Sequence, residues 1–200
     1  NQSGVNTAST FYNVFWATSS DGGATWALLI NHSTAAAGGG FNNYFEQTMA
    51  LLGGSGSTRQ WAMFARSGRP AGFSHSEDDG TTWPQRLACG ARNTLLVTSA
   101  ASFLLQSTSD PEQRLFWFDT IRASDGGSAQ YSSNCRPGVT VQSSRNGGRR
   151  WGPPVPLISD VNGFGYASAC DLGDGRFLFA GTDGTVGKVR VGLVNFSLIP

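Results

Sequence analysis

Three octapeptides constrain this chain more than anything else in it. They are Ser19-Ser20-Asp21-Gly22-Gly23-Ala24-Thr25-Trp26, Ser76-Glu77-Asp78-Asp79-Gly80-Thr81-Thr82-Trp83 and Ser144-Arg145-Asn146-Gly147-Gly148-Arg149-Arg150-Trp151. All fit S-x-[D/N]-x-G-x-x-W. Each describes a hairpin. A strand ends at Ser, Asp or Asn turns the chain by bonding its own backbone, and Gly supplies positive φ. The next strand begins at Trp, whose ring covers the turn with apolar surface.

The copies recur at roughly 60–70 residues, about one four-stranded unit with its loops, which is a β-propeller spacing. Composition agrees. Of the 200 residues 27 are Gly, 12% are aromatic and only 14% are charged, and no stretch rich in Glu and Lys favours a long helix. Strands are expected at 11–18, 71–74 and 139–143 before the octapeptides, and from Trp26 to Ile30 after the first. Others are expected at 45–52, 60–66, 93–106 (split), 114–122, 166–172, 175–181 and 186–196. Gly53-Gly54-Ser55-Gly56-Ser57 and Gly173-Asp174-Gly175 read as hairpin turns.

The net charge of +1 argues against nucleic acid or an anionic membrane as partner. No apolar run is long enough to span a bilayer. Cys89, Cys135 and Cys170 are odd in number and match no zinc spacing, so buried or half-buried thiols are expected, with one disulfide plus a free thiol as the alternative. His32 and His75 form no ligand cluster, and no metal or other cofactor is expected. The sequons Asn31-His32-Ser33 and Asn195-Phe196-Ser197 favour a secreted or luminal setting only weakly.

The octapeptide resembles the Asp box of sialidases. The resemblance implies an all-β propeller of the sialidase type, six-bladed when complete, with three blades and a part in residues 1–200. The chain begins at Asn1, near what reads as the middle of a blade, so it is expected to be part of a longer or processed protein lacking the N-terminal blades. In that family the boxes are structural, and no chemistry is assigned to Asp21, Asp78 or Asn146.

The resemblance also implies a site. Sialidases bind a sugar whose anomeric carbon bears a carboxylate, which guanidinium forks match in geometry and charge. Their nucleophile is Tyr, activated by a Glu. Phe45-Glu46-Gln47 opens a strand as the family's Glu does. Trp61-Ala62-Met63-Phe64-Ala65-Arg66 ends like a strand bearing a triad Arg, with Arg69 a near alternative. Arg136, ahead of the strand into the third box, fits another triad position, with Arg122 its competitor. Gly165-Tyr166-Ala167-Ser168-Ala169-Cys170-Asp171-Leu172-Gly173-Asp174-Gly175 resembles the stretch around the nucleophile. The assignment is Tyr166 and Glu46 as catalytic residues, with Arg66 and Arg136 as substrate-binding residues.

By the same resemblance the activity is exo-alpha-sialidase, acting on sialylated glycoproteins, glycolipids or oligosaccharides. The alternative is a non-catalytic Asp-box propeller that binds glycans or proteins; a propeller hydrolase acting on neutral polysaccharide is a third reading. Two features depart from the family. Its first Arg and its acid/base Asp lie ahead of anything that aligns here. The strand after the Asp-Gly turn reads Phe179-Ala180-Gly181-Thr182, where the family often has a Glu at the strand end.

Overall fold

The computed structural model describes residues 15–31, 44–67, 72–83, 87–88, 103–120, 138–158, 164–183 and 187–200. Among these the regular structure is strand, with two short 3₁₀ turns at Gly56–Thr58 and Phe196–Leu198.

The strands form four antiparallel sheets in which consecutive strands are neighbours. β1 (Phe15–Thr18) pairs with β2 (Ala27–Asn31). β3 (Tyr44–Gly53), β4 (Gln60–Ser67), β5 (Gly72–Ser76) and β6 (Leu87–Ala88) make a four-stranded sheet in that order. A second follows the same plan with β7 (Phe103–Gln106), β8 (Leu115–Thr120), β9 (Val139–Ser144) and β10 (Val155–Ile158). β11 (Phe164–Asp171), β12 (Arg176–Asp183) and β13 (Lys188–Asn195) make a three-stranded sheet. The expected strands recur within a few residues wherever they are described. β6 and β10, too short and interrupted for a period-two pattern, were not expected.

Short strands with both faces apolar must stack, because a lone meander leaves one face wet. The β3–β6 sheet packs on the β7–β10 sheet through Ala50, Ala62, Phe64 and Phe73 against Leu104, Leu115, Trp117 and Trp151. The other face of that sheet presents Phe116, Phe118, Val139 and Val141 to Phe177, Phe179, Ala167, Phe196 and Ile199. Each such Phe, fully buried, contributes about 1.5–3 kcal/mol.

The three octapeptides make the same turn. In each the Ser hydroxyl accepts from the N–H four residues on, at 2.8 Å for Gly23, Gly80 and Gly148. The Asp or Asn side chain accepts from the N–H of Thr25, Thr82 or Arg150 at 2.8–2.9 Å. The indoles differ. Trp26 and Trp83 donate from Nε1 to Gly23 and Gly80 carbonyls at 3.0 Å and lie over their turns as expected. Trp151 is 4% exposed and packs edge-on to Phe73 of the neighbouring sheet, whereas Trp26 is 66% exposed.

Candidate functional site

The first strands of the sheets run the same way. Gln106 of β7 pairs with Leu115, and Leu115 with Ser144 at the end of β9. The turn after Ser144 sets Gly147 against the Leu52 side chain near the end of β3, where a Cβ on Gly147 would stand 3.0 Å from Leu52 Cδ1. The Gly147 carbonyl also meets the His75 ring at the end of β5. The ends of β3 and β7 therefore share one edge with the second and third octapeptides. Asp171, at the end of β11, accepts from the backbone N–H groups of Thr108 and Ser109 at 2.9 Å and from the Ser107 hydroxyl at 2.8 Å. That brings the end of β11 to the same edge.

The opposite edge holds three of the residues singled out in the sequence, Tyr166, Glu46 and Arg66. Tyr166 lies near the start of β11, about 16 Å along the strand from Asp171 at a strand rise of roughly 3.3 Å per residue. It sits in a bulge, between the pairs Gly165↔Thr182 and Ser168↔Ala180, with φ +52° and the residue 61% exposed. A bulky residue in the left-handed region is held there against its own preference. Glu46, near the start of β3, is itself the extra residue of a bulge between Phe45↔Arg66 and Gln47↔Ala65. Arg66 is therefore on the rung next to Glu46, at the end of β4. Bulges re-aim side chains and favour functional edges.

The second strands also bring charge to this edge. β8 carries Asp119, 1% exposed, and β12 ends in Asp183, also 1% exposed. Asp183 accepts from Arg190 Nε of β13 at 2.7 Å. The strand after the Asp-Gly turn thus runs one residue past Thr182 and finishes on a buried carboxylate. Sequence reasoning missed it. The available signal was the alternation Phe177, Phe179, Gly181, Asp183, which puts all four on the buried face of β12.

Arg136, Arg122 and Arg69 lie outside the described residues. The described strand ends flanking residues 121–137, Thr120 and Val139, pair with each other at this edge. Cys89 and Cys135 also lie outside. Cys170 corrects the expectation of a buried or half-buried thiol: it is exposed, because it alternates with the inward-facing Ala169 and Asp171 and shares a rung with Leu178 on the outer face of the sheet. Among the described residues no cluster of His, Cys, Asp and Glu could hold a metal, and no helix is long and apolar enough to cross a membrane.

No family model matches the chain, and no curated protein matches its sequence. Solved structures do resemble it in fold. A Hadza microbial sialidase superposes with TM-score 0.60 at 16% identity, covering 91% of this chain and 32% of the other. NanB, in a structure described as NanB plus Optactamide, gives TM-score 0.58 at 14% identity, covering 91% and 26%. The intramolecular trans-sialidase from Ruminococcus gnavus, in complex with oseltamivir carboxylate, gives 0.50 at 18% identity, covering 92% and 36%. The protein is all-β, with the fold of a sialidase propeller. At these identities the likeness shows the fold alone, and the chain spans about a quarter to a third of the proteins it resembles.

Proposed function

We propose that this chain is part of an exo-alpha-sialidase that removes terminal sialic acids from glycoproteins, glycolipids or oligosaccharides. The observation that carries the reading is the sharing of one sheet edge by the strained bulge at Tyr166 and the bulged rung of Glu46 and Arg66. In this reading Glu46 takes the phenolic proton as Tyr166 Oη attacks the anomeric carbon. The glycosidic C–O bond breaks and the leaving oxygen is protonated by an acid outside this chain. Water then cleaves the tyrosyl glycoside with overall retention. Arg66 and Arg136 hold the sugar carboxylate through paired charge-assisted hydrogen bonds.

The remaining parts of the site come, in this proposal, from N-terminal blades of a longer protein. The last sheet supports that. Its inner face packs on the β7–β10 sheet, while its outer face leaves Leu178, Val189, Val191 and Leu193 between 37% and 64% exposed. These side chains match in kind those that seal the two internal sheet–sheet contacts, so a further blade of the same polypeptide is assigned to that face.

The test is fluorophore release from an aryl sialoside by the full-length protein and its Tyr166→Phe variant. Turnover is expected in the parent and a fall of several orders of magnitude in the variant, with a sialic acid transition-state analogue still bound by both. No turnover and no analogue binding by a folded parent would overturn the reading. Binding without turnover would leave a glycan-binding propeller.

A further inference from the structure

One motif of the sequence plays no part in the proposed reaction. Asn195-Phe196-Ser197 is a glycosylation sequon, and the fold displays it. Asn195 closes β13, and the chain turns at once into the 3₁₀ segment Phe196–Leu198. Asn195 and Ser197, the two residues that define the sequon, are exposed, whereas Phe196 between them is 2% exposed. Phe196 stacks on Phe116 and lies beside Phe177, whose ring centroids are 4.9 and 5.3 Å from its own. Its carbonyl accepts from buried Arg114 Nη2 at 3.0 Å, and its N–H donates to the Gly175 carbonyl at 3.0 Å. The middle residue is thus anchored in the core while the two that are recognised face water.

The turn does not engage the Asn195 amide either. An Asn ahead of a helical turn ordinarily accepts from the N–H groups that follow. Here, with φ −78° and ψ 136°, the Asn195 side chain makes no capping hydrogen bond. Asn195 pairs with Arg176, the first residue of β12, and so stands at the edge away from the candidate site. Gly181, opposite the bulge that holds Tyr166, is five rungs away, about 16 Å along the strand. The alternation of β13 puts Asn195 on the outer face with Val191 and Leu193, at the rim where the strand ends. A glycan is bulky and needs open solvent, so the further blade assigned to that face must stop short of the rim.

We propose that Asn195 is an N-glycosylation site, and that the protein therefore travels the secretory route. The co-reactant is an oligosaccharide linked to a lipid diphosphate. Asn195 Nδ2 bonds to the anomeric carbon of the first sugar as the bond from that carbon to the diphosphate breaks. The lipid diphosphate leaves, and the amide gives up one proton. The attached chain lies on the edge away from Tyr166, so it leaves the candidate site open.

The test is mass spectrometry of the full-length protein secreted from a eukaryotic host. Digestion with peptide N-glycosidase in heavy-oxygen water converts a glycosylated Asn to labelled Asp, and peptide mapping separates Asn195 from Asn31. Label is expected at Asn195. Asn195→Gln and Ser197→Ala should each lose that label and the gel shift of one glycan. Ser197→Thr, which preserves the sequon, should keep both. Unlabelled Asn195 in the secreted, folded wild type would overturn the proposal, make the triplet a chance match and leave the sialidase reading untouched. Label that persists at Asn195 in Ser197→Ala would overturn it as well, because the sequon would then not be what is recognised.

Discussion

Asp171, at the end of β11, accepts four hydrogen bonds from Ser107, Thr108 and Ser109 of the neighbouring sheet, two from hydroxyls and two from backbone N–H groups. A fifth, from Gly173 N–H at 2.9 Å, closes its own turn. One carboxylate thus joins two sheets at the edge away from the candidate site. Burial works against its ionisation. The bonds from Ser109, Gly173 and Ser107 outweigh that, and its carboxyl is held well below the usual carboxylate range.

Asp171→Ala should therefore destabilise the protein by about 2–3 kcal/mol, since it strands donors that the carboxylate satisfied. Urea titration at neutral pH reads this. The linkage has a definite sign. A carboxyl whose pKa is depressed on folding contributes stability that is complete above its unfolded value, near pH 4, and lost as the pH falls through its folded value. The difference between wild type and the alanine variant should shrink below pH 4. A difference independent of pH would refute the carboxylate as its source.

Tyr166 at φ +52° predicts a trade of stability against function. Its ring is largely exposed, so Tyr166→Gly loses little packing and relieves a left-handed conformation that costs an L-residue about 1–2 kcal/mol. The glycine variant should unfold at equal or higher urea concentration than wild type, and should lose all sialoside turnover. A clear loss of stability would mean that the ring packs more firmly than its 61% exposure indicates.

Two glycines of the repeated turn should respond differently. Gly22 and Gly148 both have positive φ, +70° and +88°, but an alanine Cβ meets nothing within 4 Å at Gly22 and stands 2.2 Å from Phe73 Cζ at Gly148. Gly22→Ala should cost about 1–2 kcal/mol, the backbone term alone. Gly148→Ala adds overpacking of a buried ring and should cost about 2–5 kcal/mol. Equal losses at the two sites would show that the sheet contact at Phe73 yields freely.

Asp21 offers a probe of the turn itself. The Thr25 hydroxyl, the Thr25 N–H and the Ser19 hydroxyl lower its pKa to about 2. Thr25→Val removes the foremost of these. Its titration, followed by carboxyl carbon NMR, should move up toward the ordinary aspartate value, near 3.9. An unmoved midpoint would show that the hydroxyl bond is not formed in solution.

The three octapeptides carried most of what was legible. The Ser hydroxyl and the Asp or Asn side chain of each turn accept from backbone N–H groups within the same octapeptide, so the turn is built locally wherever the motif occurs. The strands expected at 45–52, 60–66, 166–172 and 175–181 match β3, β4, β11 and β12 within about two residues at each end. The turn residues between them were equally local in their chemistry.

Tertiary structure decided the rest. Whether an octapeptide Trp covers its own turn, as Trp26 does, or fills a sheet–sheet contact, as Trp151 does, depends on whether a neighbouring sheet is there to receive it. The bulges at Glu46 and Tyr166 are register events between partners about 20 residues apart or fewer, yet their common edge follows from the stacking of three sheets. Asp183 lay beyond the strand expected at 175–181, and its burial and its pairing with Arg190 follow only from the folded sheet. Local hydrogen bonding and period-two patterning are properties of a few consecutive residues and are written in the sequence. Burial, charge pairing and shared edges are properties of residues far apart in the chain, and only the packed sheets define them.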